Sequence, residues 1–319
     1  MTHRYFKIII GYLITMVSLI YVFKQVEILS FIIALKEINI FCVFESTMLF
    51  MFSCIFRVFM WNVTTKMYDS FSFSNLFGGI MMGYLINNIL PLKCGELLRA
   101  HHLTKNGKIS FVAAVSTIFI ERIFDVLSLL ILVVIAIVYK VNMNLSVSIY
   151  PKTIVIVFAL AIVTILLYSK SKNKLNSIIN QNIKHKFKLF IEPIWGIFNI
   201  KSVILLLFFN LGAWFCNFFS ISVLLYNLHS NQYVATLTLL LFVSAGLLIP
   251  SAPGSFGIIQ IAFLAALIPY GLERQHVLSL SFSYQIGILL STIIMGLPYL
   301  IINNWDKKRC IFRIGGKSI

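Results

Sequence analysis

Charge is the scarcest commodity in this chain. Only 11% of its 319 residues are Asp, Glu, Lys or Arg, and only 10 are acidic. Soluble domains carry about 25% charged residues, so a soluble globular fold is excluded. Aspartate is rarest, at Asp69, Asp125 and Asp306, and no Asp-x-Asp pair exists to hold a metal-bound diphosphate. The cysteines (Cys42, Cys54, Cys94, Cys216 and Cys310) form no C-x-x-C pair. The single histidine pair, His101–His102, has no Cys or carboxylate at ligand spacing. No disulfide, metal site or cofactor is therefore expected. No Ser/His/Asp or Cys/His set falls on a common loop, so no catalytic residue is assigned and the chain alone is not expected to be an enzyme. No polar stretch could form a soluble domain: the longest, 169–201, is short and Lys-rich.

Apolar sequence fills the space. The chain is 60% hydrophobic, with a mean hydropathy of +0.95. It reads as one all-α polytopic membrane domain over 1–319 in the cell membrane. The net charge of +16 would suggest nucleic acid on a soluble protein. Here it fits basic loops that follow the positive-inside rule and touch anionic headgroups, and no nucleic-acid partner is expected. A span needs about 20 apolar residues. Candidates are 5–23, 40–60, 71–92, 111–139, 152–168, 202–226, 234–250, 255–270 and 277–302. No small-x-small cleavage site follows the first, which reads as an uncleaved span. Trp61, Trp195 and Trp305 read as interfacial anchors.

Two runs end in broken backbone. One break contains Asn87, Asn88, Pro91, Lys93, Gly95 and Glu96; the other contains Pro250, Pro253, Gly254 and Gly257. Proline cannot continue an interior helix and glycine frees the backbone to turn. At bilayer depth such breaks are tolerated only where protein or a wet cavity satisfies the amides. Charge selects between topologies. If 71–92 crossed fully, the loop with Lys93, Arg99, Lys105 and Lys108 and the basic loop 169–201 would both lie outside, against the positive-inside rule. A re-entrant hairpin over 71–105 puts both inside. A second hairpin over 234–270 then enters from outside, and both termini are cytoplasmic. The expectation is about six full spans plus two re-entrant helical hairpins. The first half, about 1–140, and the second, about 152–302, share the order span, span, hairpin, span, a candidate inverted repeat.

Charges concentrate beside the first break. Arg57 lies in the second apolar segment, Glu96 and Arg99 next to the break, and Glu121, Arg122 and Asp125 in the fourth. One charge at bilayer depth costs about 2.5–3.5 kcal/mol, so these groups must pair, line a wet cavity, or both. The i,i+3 spacing predicts pairs Glu96–Arg99 and Arg122–Asp125, and i,i+4 puts Glu121 and Asp125 on one face. Two readings stand: a structural ion network that fixes helix register, or a polar cavity for a headgroup, whose phosphate suits arginine's planar fork. The turn Gly254–Gly257 could offer amides to an anion. Gln260 and Gln285 read as interhelical glue, and Asn87 and Asn88 either hydrogen-bond across the break or cap the broken helix.

In order, Asn88-x-x-Pro91-x-x-x-Gly95-Glu96-x-x-Arg99, Glu121-Arg122-x-x-Asp125 and Pro250-x-x-Pro253-Gly254-x-x-Gly257 resemble the flippase-like membrane domain family. That family includes the transmembrane region of lysylphosphatidylglycerol synthases and the dolichol-phosphate-sugar synthetase-like membrane proteins. The resemblance covers about 40–302. It implies a lipid-handling domain with broken helices around a polar interior, taking an anionic phospholipid or a polyprenyl-phosphate-linked headgroup. It assigns Asn88, Pro91, Gly95, Glu96, Arg99, Glu121, Arg122, Asp125, Pro253, Gly254 and Gly257 to that interior. The family tends to have an acid where Gln260 stands and an arginine where Gln285 stands. The synthases continue into a soluble aminoacyl-transfer domain, whereas this chain is expected to end soon after its last span. The function expected is lipid translocation. The alternatives are a scaffold subunit for a separate lipid-modifying enzyme, or a membrane-embedded transferase using a lipid-linked donor.

Overall fold

The computed structural model describes residues 13, 15–24, 26–90, 94–138, 190, 194, 196–197, 199–247 and 253–302. Pro91, Lys93, Pro250, Cys310, Trp195, Trp305, the candidate span 152–168 and most of the basic loop 169–201 lie outside them. The described residues are all-helical: α1 (Thr15–Phe23), α2 (Ile28–Lys36), α3 (Ile40–Thr65), α4 (Phe73–Ile89), α5 (Cys94–Asn106), α6 (Phe111–Val138), α7 (Ile200–Leu224), α8 (Gln232–Gly246), α9 (Ile258–Leu267) and α10 (Arg274–Ile302). Side-chain caps set several starts: Asn39 accepts from the Phe41 amide, Ser72 from Asn75 and Asn199 from Ser202.

Among the described residues, α3, α7, α10 and the stretch Pro253–Tyr270 are long and apolar enough to cross a membrane, and bent α1–α2 would make a fifth. The protein is a polytopic membrane protein. Helix α6 has the length, at 28 residues, but holds Glu121, Arg122 and Asp125 together. Helix α2 was not expected: at nine residues it is too short for a periodicity to emerge.

Helices α3 and α7 form an antiparallel pair. Ser220 donates to the Ser46 carbonyl at 2.7 Å, Phe59 stacks on Phe209 at 5.4 Å, and Gly212 admits the Phe56 ring. Asn210 joins α7 to α6, donating to the Phe124 carbonyl and to Ser128 at 2.8 and 2.7 Å. Such hydroxyl and amide bonds substitute for a hydrophobic driving force between helices in lipid.

Helices α4 and α5 pair antiparallel along their length. His102 bonds the Asn75 carbonyl at 3.1 Å, Gly83 faces Arg99, and the Gly95 amide donates to Asn87 at 2.8 Å. At the open end Asp69, before α4, accepts from the Lys108 amide, after α5, at 3.0 Å. The segment thus leaves from the end where it arrived. Helices α8 and α9 repeat the arrangement: Gly246 packs on Ile258, and Thr238 bonds the Tyr270 hydroxyl at 2.9 Å.

Helix α10, at 29 residues, orders the two hairpins. Its C-terminal part runs antiparallel to α4: Tyr299 bonds Ser74 at 3.2 Å, Gly296 meets the Met81 carbonyl, and Thr292 accepts from Asn88 at 2.9 Å. Its N-terminal part faces α9 through Gln285–Gln260 and Tyr284–Phe263. The hairpins therefore open toward opposite ends of α10, and their tips meet: the Asn88 carbonyl lies 3.7 Å from the Cβ position of Gly254. At about 1.5 Å per residue, the α5 and α8 arms, of 13 and 15 residues, fall short of a hydrocarbon core of about 30 Å. Each hairpin has its own core, one around Trp61, Leu76, Ile80 and Ala114, the other around Leu239, Phe263 and Leu278.

Candidate functional site

The six charged residues singled out in the sequence come together, with one of the two pairs that the spacing implied replaced. Arg99 does not pair with Glu96. It makes a bidentate bridge to Glu121, with Nη2–Oε1 at 2.8 Å and Nη1–Oε2 at 3.1 Å, and both residues are 1% exposed. Glu96 instead meets Arg122, with Nη2–Oε1 at 3.1 Å. The reason is steric. Gly83 and Gly95 let α4 and α5 approach so closely that a Cβ on Gly95 would overlap the Gly83 carbonyl, and one on Gly83 would lie 2.7 Å from the Arg99 side chain. The Arg99 stem is thereby pressed onto α4 and its head sits 4.2 Å over the Trp61 ring. Trp61 is thus no interfacial anchor. It is fully buried, its indole N–H donating to Thr117 at 3.0 Å, because a cation above its face and a hydroxyl at its edge satisfy it in place.

Asp125 is the hub of the remaining charges. It accepts from Arg57, from Arg122 Nη1 at 3.0 Å (the predicted i,i+3 pair) and from the Trp214 indole at 3.3 Å. Trp214 has no charge and lies far along the chain, so no signal in the sequence marks it. The network has two faces. Arg99–Glu121 is sealed, whereas Arg122 and Glu96 expose 43% and 31% of their side chains. The Arg122 Nε donates to none of the described residues. That Nε is itself buried, so the part of Arg122 that Glu96 holds is Nη2 alone. Arg99 is more fully enclosed: both its Nη atoms bridge Glu121, its face lies over Trp61, and its buried Nε likewise donates to none of the described residues.

The second break is closed by amides. Gly254 and Gly257 adopt φ of +69° and +87°, a region that glycine enters without strain. The Gly257 amide donates to Gln260 at 2.7 Å, Gln260 donates to Gln285 at 2.6 Å, and Gln285 donates to the Gly254 carbonyl at 2.6 Å. The Gly257 amide, expected to be available to an anion, is consumed by this relay. Gln260 and Gln285 are interhelical glue, as the sequence suggested, and they bond each other where the resemblance places an acid and an arginine. At the first break Asn87 accepts from the Gly95 amide across the break, whereas Asn88 reaches Thr292 on α10 instead. The breaking prolines Pro91 and Pro250 lie outside the described residues, while Pro253 opens the short turn of helix leading into α9.

The lysylphosphatidylglycerol synthase TM region family matches residues 8–296. The chain belongs to this family. No curated protein matches it closely enough to count as a relative. Membership ties the chain to membrane lipid modification, and the ion network and both breaks fall inside the matched region.

Proposed function

We propose that the protein is a lipid translocase in which a phosphate-bearing headgroup passes between the hairpin tips while the acyl or prenyl tails stay in the bilayer. The observation that carries this reading is the meeting of two opposite-ended hairpins beside the exposed Arg122–Glu96 pair. Opposed, discontinuous helices meeting at the middle of a bundle are the arrangement secondary transporters use to expose one site to either side. Both hairpins are then re-entrant, and the open end of α4–α5 is cytoplasmic. Lys66, Lys105 and Lys108 gather there, and the basic run Lys307–Lys308–Arg309 follows α10 from the same end. Arg122 takes the phosphate, and Asp125, itself paired with Arg57, holds its guanidinium in place.

The test is transbilayer movement. Purified protein in vesicles carrying fluorescent phospholipids is expected to expose inner-leaflet label to an impermeant quencher, and Arg122→Ala to abolish that. Vesicles with no movement above protein-free controls would sink the translocase. Loss of a co-purifying enzyme's activity on deletion of the protein, with no flip-flop, would establish a scaffold instead, and chemical turnover of the lipid would establish a transferase.

A further inference from the structure

We infer that the headgroup taken by this site is net-neutral, with one phosphate and one primary ammonium, as in an ethanolamine phospholipid. The inference rests on the translocase reading and narrows its substrate. The sealed half of the network contributes nothing to a ligand, because Arg99 and Glu121 neutralise each other at 1% exposure. The second break adds no charge, since Gln260 and Gln285 are spent on each other and on Gly254 and Gly257. Arg57 is committed to Asp125, and both are nearly enclosed, at 12% and 13%. What remains partly exposed is one arginine and one carboxylate, Arg122 and Glu96, paired at 3.1 Å.

That pair discriminates by charge. A purely anionic headgroup that takes Nη2 of Arg122 evicts Glu96 and leaves a carboxylate unpaired beside the incoming phosphate. A purely cationic headgroup that takes Glu96 strands the same Nη2. A headgroup with both charges exchanges one internal pair for two intermolecular ones: phosphate on Arg122, ammonium on Glu96. Stranding a partly buried charge is what an ion-pair site penalises most. A lysyl-bearing headgroup brings a second ammonium for which the open face has no second carboxylate.

Native mass spectrometry of the full-length protein, mixed with chain-matched phosphatidylethanolamine, phosphatidylglycerol and lysyl-phosphatidylglycerol at equal concentration, reads the preference directly. The ethanolamine lipid is expected to bind about fivefold better than either other lipid. Glu96→Gln frees Nη2 of Arg122 and is expected to reverse the order toward phosphatidylglycerol. Arg122→Lys keeps the charge but loses the guanidinium and is expected to weaken every lipid. Equal binding of the three lipids, tightest binding of either charged lipid, or an unchanged order in Glu96→Gln would overturn the assignment. Selective binding without flip-flop would leave the headgroup standing and remove the translocase. Flip-flop without selectivity would do the reverse.

Discussion

The two hairpins solve one problem with different chemistry. Each must close a break in helical backbone where little water is available. In α4–α5 the closure is ionic and tight: Gly83 and Gly95 bring the arms together, and Arg99 is locked between Trp61 and Glu121. In α8–α9 it is neutral and looser: two glutamines relay hydrogen bonds from Gly254 to Gly257, and Gly246 meets only the tip of an Ile258 side chain. The difference teaches where charge is used structurally and where it is left for a ligand. The first hairpin spends one ion pair on rigidity and presents another to the outside. The second presents none.

The sharpest way to break this comparison is to remove one partner from each closure. Glu121→Ala leaves Arg99 buried and unpaired and is expected to cost about 3–5 kcal/mol. Gln260→Ala leaves neutral amides unpaired and is expected to cost about 1–3 kcal/mol. Denaturant unfolding in detergent micelles measures both, and equal losses would erase the distinction between ionic and neutral closure. Gly95→Ala forces a methyl into the Gly83 carbonyl and is expected to cost about 1–3 kcal/mol, whereas Gly246→Ala meets only the movable end of Ile258 and is expected to be milder. The ranking is read from melting temperatures, and a reversed order would show that the first hairpin is not the tighter one. Converting the relay to the charges that the resemblance assigns sharpens the comparison further. Gln260→Glu with Gln285→Arg is expected to be less damaging than the sum of the two single changes by about 0.5–3 kcal/mol. Strict additivity in a double-mutant cycle would mean that the two positions do not interact.

The smallest expected effect lies at the open end of the first hairpin. The Lys108 and Ser70 amides hold the Asp69 carboxyl below its ordinary value. A group whose folded-state pKa is depressed stabilises above its unfolded value and loses that contribution as pH falls through the folded value. The Asp69 clamp should therefore be intact at neutral pH and released only in acid below about 4. Asp69 is exposed, so Asp69→Asn should alter hydrogen exchange at Lys108 without a measurable shift in melting. Exchange at Lys108 unchanged between pH 7 and acid would remove the clamp.

Much of this was legible in the sequence, for identifiable reasons. Charge is so sparse that Arg57, Glu96, Arg99, Glu121, Arg122 and Asp125 stood out without any structural guide, and Pro–Gly breaks inside apolar runs marked both hairpin tips. Pairing was misread at Glu96 and Arg99 because helical spacing counts only neighbours on one helix. The choice of partner was made by two glycines on facing helices, which carry no side chain to signal it. Trp61 was misread because a tryptophan near the end of an apolar run suits the interface equally well, and only the cation above it explains its burial. The amide relay was half-legible: Gln260 and Gln285 were marked as polar contacts, but their bonding to each other depends on the fold.

The central claim is that the hairpins open to opposite sides. In a background with the native cysteines replaced by serine, Lys105→Cys and Tyr233→Cys report the two open ends. An impermeant thiol reagent applied to intact cells is predicted to label position 233 and to reach 105 only after the membrane is permeabilised. Labelling of position 105 in intact cells, or of both positions from one side, would contradict the account.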